Sequence, residues 1–149
     1  MSKRFYSVLT FVLVFSVFIF CLSSSGLAHL IESAKMKNYY SEKSNYINVI
    51  GTVADIEYSE GGDLLILEFD EDIAPADIFT SRKFLIEGEN LLTIKTSGFD
   101  EKVKIGSFIE FTTVPAVLYG YARPIVSLTI NGETLLEFED GYQGLLEAL

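Results

Sequence analysis

The chain opens with an apolar run from Phe5 to Leu22, broken only by Ser7, Thr10 and Ser16. A polar, mixed stretch follows from His29 to Asn45, where Leu30, Ile31, Ala34 and Met36 give at most one or two helical turns. From Tyr46 the pattern changes. Ile47, Val49, Gly51 and Val53 recur at period 2, and then Ala54, Ile56 and Tyr58 carry the apolar positions. Such a phase switch near a glycine predicts one long strand with a β-bulge between Gly51 and Ala54.

Three hairpins are predicted beyond that strand. Gly61-Gly62 reads as a two-residue turn with Asp63 to Phe69 as the return strand. Phe84 to Glu87 and Leu91 to Thr96 flank Gly88-Glu89-Asn90 as a second hairpin. Val126, Leu128 and Ile130 alternate with polar residues before Asn131-Gly132, and Glu133 to Phe138 returns. Phe108 to Val114 alternates with Ile109 and Phe111 on one face. Asp70 to Thr80, Ser97 to Lys104 and Ala116 to Pro124 read as connections. Asp140 to Leu149 reads as a C-terminal helix, N-capped by Asp140, with Leu145, Leu146 and Leu149 on one face. The expectation is an all-β domain with minor α: a small antiparallel barrel of six to seven strands with a short C-terminal helix.

The N-terminal order of charges gives the chain an address. Lys3 and Arg4 precede the apolar run, and Ser23-Ser24-Ser25-Gly26-Leu27-Ala28 supplies small residues after it. Basic, apolar, then small is the order of an export signal. Residues 1–28 are expected to be a signal peptide cleaved before His29, residues 29–45 a linker, and residues 46–149 the barrel domain. The alternative is an uncleaved single-pass membrane anchor, because a helix over Phe5–Leu22 would span roughly 27 Å against a hydrocarbon core of ~30 Å. Either way the C-terminal domain lies outside the cytoplasm. Cys21 follows Phe18-Ile19-Phe20 rather than a small residue, so lipidation is not expected.

Composition narrows the chemistry. Removing Lys3 and Arg4 takes Lys+Arg from 11 to 9 against 21 Asp+Glu, a net charge of −12 for the processed chain. That surface repels phosphate backbones, and no nucleic-acid partner is expected. The single Cys lies in the signal, so no disulfide framework is available. The single His is His29, in the linker, which removes Ser-His-Asp, Cys-His and His-zinc chemistry. No cofactor is expected.

Ile50-Gly51-Thr52-Val53-Ala54-Asp55-Ile56 and Val103-Lys104-Ile105-Gly106-Ser107-Phe108-Ile109-Glu110-Phe111 resemble the first strand and a later Lys-x-Gly-led strand of OB-fold barrels. The resemblance implies an OB-like barrel in a small exported protein of the kind found in Gram-positive bacteria, and implies no activity. OB barrels carry an amphipathic helix between strands three and four, and none is expected here.

Two constellations could act. Glu68, Asp70, Glu71, Asp72 and Asp77 cluster within ten residues, and Asp70, Asp72 and Asp77 are the candidate Ca²⁺ ligands, although the EF-hand order is absent. Val117-Leu118-Tyr119-Gly120-Tyr121-Ala122-Arg123-Pro124 places Tyr119, Tyr121 and Arg123 on one face of an extended segment. Aromatic and guanidinium groups suit stacking on a sugar or gripping a partner. On OB barrels this late loop borders the binding face. The expected function is an exported, non-catalytic binding or interaction module for a protein or a cell-envelope glycan. The alternatives are a small carboxylate-based hydrolase, Ca²⁺-dependent or not, and a membrane-anchored accessory subunit. N-terminal sequencing of the exported protein should begin at His29. Recovery of Met1 or Ser2 in the membrane fraction would instead establish the anchor.

Overall fold

The computed structural model describes residues 34–75, 81–115 and 122–149. The expected signal or anchor over residues 1–28 lies outside them. The chain divides into two compact units, Met1–Asn38 and Tyr39–Leu149. The described part of the first, residues 34–38, is helical. Among the described residues no helix is long and apolar enough to cross a membrane.

The second unit is mostly β sheet with a few helices. Its strands are β1 (Ile47–Tyr58), β2 (Leu64–Phe69), β3 (Lys83–Glu87), β4 (Phe108–Thr113), β5 (Arg123–Pro124), β6 (Ser127–Ile130) and β7 (Glu133–Leu136). They form one sheet in the order β5-β3-β2-β1-β4-β6-β7, with β5 and β7 at its edges. Between β3 and β4 run helices α1 (Gly88–Thr96) and α2 (Phe99–Lys102); helix α3 (Phe138–Ala148) follows β7.

β1 serves two partners. Ile47 to Thr52 pair with β4, while Val53 to Tyr58 pair with β2, and the register shifts between Val53 and Asp55. The bulge falls at Ala54, where the hydrophobic phase predicts it. It lets Val49 and Val53 before it and Ile56 after it face the same core as Leu65, Leu67 and Phe69 of the paired strand. Phe69 of β2 stacks on Phe111 of β4 with centroids 4.7 Å apart, and Phe84 of β3 meets both edge-on at 5.4 and 4.8 Å. Such aromatic pairs add about 0.5–1.5 kcal/mol each beyond the area they bury.

Several elements differ from the sequence pattern. The second hairpin is absent: Leu91 to Thr96 belong to α1, not to a strand. β-branched Thr93, Ile94 and Thr96 favour a strand locally, but Asn90, Leu91 and Ile94 share a buried helical face, and tertiary burial decides. A helix therefore does stand between the third and fourth strands. The Gly61-Gly62 connection is wider than two residues: Ser59 to Asp63 all lie between β1 and β2, closed by Ser59 N–H to Leu64 O at 2.9 Å. The sheet is not wholly antiparallel, because β5 runs parallel to β3. The Asn131-Gly132 turn is as predicted, a two-residue loop with φ of 52° and 78°.

Helix α3 begins at Phe138, earlier than expected, with Glu137 rather than Asp140 at the N-cap. Its buried face is Gly141, Tyr142 and Leu145. Two contacts explain this. Phe138 and Tyr142 enclose Tyr46 edge-on at 5.6 and 5.7 Å. Gly141 lies directly on the backbone of Val126: a Cβ there would sit 2.1 Å from the Val126 carbonyl oxygen. Asn90 of α1 donates from Nδ2 to Gly141 O at 2.8 Å.

The same helix fastens the start of the unit. Tyr142 Oη donates to Ser41 O at 2.6 Å, Tyr46 Oη to Tyr40 O at 2.9 Å, and Asn45 Nδ2 to Tyr39 O at 2.8 Å. Three carbonyls at the end of a helical segment are thus each met by a side-chain donor, and Tyr39 O also accepts from Glu42 N–H at 3.4 Å. Lys43 adds an ion pair to Glu139 at 2.6 Å and lies over the Tyr142 ring at 4.9 Å. Burial among these rings pushes the Tyr46 phenol well above its usual range.

Replacing Gly141 by Ala should destabilise the fold by roughly 2–3 kcal/mol, because the obstructing atom belongs to backbone and cannot rotate away. Alanine at the adjacent exposed Gln143 should change stability by less than about 0.5 kcal/mol. Urea unfolding of both variants measures the contrast.

Candidate functional site

Arg123 is the one member of the aromatic–arginine constellation that falls among the described residues; Tyr119 and Tyr121 lie outside them. It is 2% exposed. β5 holds it against Phe84 of β3, with the guanidinium carbon 6.0 Å from the Phe84 ring centroid. Its Nε donates to Pro115 O at 2.9 Å and its Nη1 to Ser81 O at 2.7 Å. Thr113 Oγ1 donates to Pro124 O at 2.7 Å across the same junction.

This geometry assigns Arg123 a definite role. Pro115 is the last described residue before 116–121, and Ser81 is the first after 76–80. One guanidinium therefore bonds the feet of two connections and brings them side by side. A planar donor group with several N–H directions can do this, whereas an ammonium cannot reach both carbonyls in the same way. Burial lowers the Arg123 pKa, and the nearby Tyr40 opposes that shift. Arg123 is thus a fixed base of the loop, and its guanidinium is turned to backbone rather than to solvent.

The acidic connection holds together differently. Asp72 accepts from Thr52 N at 3.1 Å through one oxygen and from Thr52 Oγ1 at 2.6 Å through the other. These bonds hold its carboxyl below the usual range. Asp70 uses its backbone N–H on Thr52 O at 2.9 Å, and its side chain is exposed. Asp77 lies outside the described residues. Among the described residues no group of three or more His, Cys, Asp or Glu side chains could hold a metal ion.

Two surface hollows lie elsewhere on the unit. One, of about 470 Å³, lies between the Gly62-Asp63 turn and α1, lined by Leu91, Leu92 and Lys95. Lys95 is engaged there, donating to Gly62 O at 3.0 Å and lying 4.7 Å over the Tyr58 ring. The other, of about 430 Å³, is lined by Ile56, Phe99, Asp100, Val103, Lys104 and Ile105. Asp100 accepts the Tyr58 hydroxyl, and Lys104 donates to the Asp100 carbonyl. Burial and Asp100 together push the Tyr58 phenol far above its ordinary value, which makes it a donor rather than a nucleophile. The first hollow also carries Glu87 and Asp63, whose carboxylate accepts from Ser59 Oγ at 2.5 Å.

Pattern reading could find Arg123 but not its partners, because those are the carbonyls of Pro115 and Ser81 and carry no side-chain signature. In comparisons with known proteins, no protein family, no curated protein and no solved structure matches this chain.

Replacing Arg123 by Lys should cost roughly 2–3 kcal/mol, since at least one carbonyl loses its donor. Denaturant titration should show a lower midpoint with an unchanged slope.

Proposed function

We propose that this protein is an exported, non-catalytic binding module whose contact surface is the β4–β5 loop, carrying Tyr119 and Tyr121, and whose partner is a protein or a cell-envelope glycan. The observation that carries the reading is the double hydrogen bond from buried Arg123 to Pro115 O and Ser81 O. It fixes the feet of an aromatic loop on a rigid strand, and recognition loops are commonly positioned by such scaffolds. Export rests on the N-terminal order of basic, apolar and small residues.

In this reading the unit is an OB-like barrel. β5 and β6 are separated only by Ile125 and Val126. Ile125 N–H donates to Leu85 O of β3 and Val126 N–H to Thr112 O of β4, both at 2.9 Å. One continuous run of chain therefore touches β3 with its first part and β4 with its second, which supports a barrel-like arrangement. The Phe69–Phe84–Phe111 contact between the two sides of the sheet supports the same arrangement. The helices between β3 and β4 stand where OB barrels carry one.

The carboxylate-hydrolase alternative has less support, because Asp72 is engaged by Thr52 and Asp63, at the first hollow, by Ser59.

The test is the double replacement of Tyr119 and Tyr121 by Ser. Cosedimentation of the exported protein with purified cell-wall sacculi probes a glycan, and cross-linking in intact cells probes a protein partner. The variant should lose the interaction and keep its melting temperature. A fall in stability of several kcal/mol would make the tyrosines core residues and end the binding-loop reading.

A further inference from the structure

We propose that Asn131 is a site of spontaneous, irreversible covalent modification, converting the β6–β7 turn to an isoaspartyl form. In this reaction the Gly132 backbone nitrogen loses its proton and bonds to Asn131 Cγ. The Cγ–Nδ2 bond breaks and the amide nitrogen leaves as ammonia, which gives a five-membered succinimide. Water then opens the ring. Attack at the main-chain carbonyl carbon gives isoaspartate, and attack at Cγ gives aspartate. The only co-reactant is water.

The structure singles out this residue among the asparagines. Asn45 donates from Nδ2 to Tyr39 O, Asn90 donates to Gly141 O, and Asn48 accepts from Thr112. Each of these is followed by a large residue, Tyr46, Leu91 or Val49, and Asn38 by Tyr39. Asn131 is exposed, and no side-chain hydrogen bond holds its amide among the described residues. The attacking nitrogen belongs to a glycine, and a Cβ built on Gly132 meets nothing within 4 Å. No turn hydrogen bond uses the Gly132 N–H among the described residues.

A second sequence in the chain provides an internal contrast. Asp140-Gly141 can form the same ring in principle. There the Gly141 N–H donates to Glu137 O at 3.0 Å inside α3, and Gly141 is packed on Val126. The nucleophile is therefore occupied at Asp140 and open at Asn131.

The product would act on the fold. Isoaspartate inserts an extra backbone carbon into a two-residue loop whose φ values of 52° and 78° set the register Ile130↔Glu133. β7 is an edge strand, but it delivers Leu135 and Leu136 to the core, and Glu133 pairs with Lys102 at 2.6 Å. A register lesion would loosen all three. Edge hairpins also open locally at low cost, which gives the ring-forming geometry access from the native state.

The experiment incubates the purified native protein at mildly alkaline pH, maps peptides by mass, and separates isoaspartyl from aspartyl peptides by chromatography against synthetic standards. Asn131 should gain about 1 Da, the change from amide to acid, with isoaspartate as well as aspartate in the product. Asn45, Asn48, Asn90 and Asp140 should remain unmodified over the same time. The isoaspartyl fraction should melt below the starting protein, whereas Asn131→Asp, which adds the charge without the extra backbone atom, should melt with the wild type. The proposal is overturned if Asn131 stays intact in the native protein while an excised peptide containing it reacts. It also fails if only aspartate forms, or if Asp140 isomerises as fast.

Discussion

One strand has to satisfy two half-sheets, and the fold is built on how it does so. β1 is 12 residues long and gives its first half to β4 and its second to β2. A strand without a break would send its second set of side chains to the wrong face, since side chains alternate at period 2. The shift between Val53 and Asp55 resets that phase, so both halves aim at one core. It also bends the sheet enough for Phe69 and Phe111, on strands flanking β1, to stack at 4.7 Å. Gly51 lies beside this bend, where a Cβ would come within 3.0 Å of the Phe69 ring.

Around that core, polar side chains settle the positions that backbone pairing leaves open. Arg123 gathers the carbonyls of Pro115 and Ser81. Asn90 joins α1 to α3, and Tyr46, Tyr142 and Asn45 cap the carbonyls of residues 39–41. Among the described residues, no buried side-chain nitrogen or oxygen lacks a hydrogen-bond partner. A small domain without disulfides gains from such completeness, because each orphaned buried group would cost about 1–3 kcal/mol.

What the sequence reveals follows from where each constraint is written. The bulge in β1, the Asn131-Gly132 turn and the alternation of β4 and β6 are local, and period and turn chemistry expose them. The α1 helix is not local: Thr93 and Thr96 suggest a strand, and only the burial of Asn90, Leu91 and Ile94 makes it a helix. The seat of α3 is written in Gly141, a residue whose meaning is the absence of a side chain. The pattern of leucines therefore finds Leu145 but not Gly141 and Tyr142, which complete the buried face. For the candidate site, residue type identified Arg123 as unusual, but its partners are the main-chain carbonyls of Pro115 and Ser81, which no residue pattern reveals.

The clasp between α3 and residues 39–46 determines how the unit would carry mechanical load. Load applied to the unit from its N-terminal side would enter at Tyr39 and reach β1, which lies between β2 and β4, only through residues 39–46. It is shared at once through Tyr142–Ser41 and Lys43–Glu139 into α3, and from Gly141 onto Val126 and the sheet behind it. Helix α3 would thereby act as a strain relief for the first strand, with such tension met by several bonds in parallel instead of by single rungs in series.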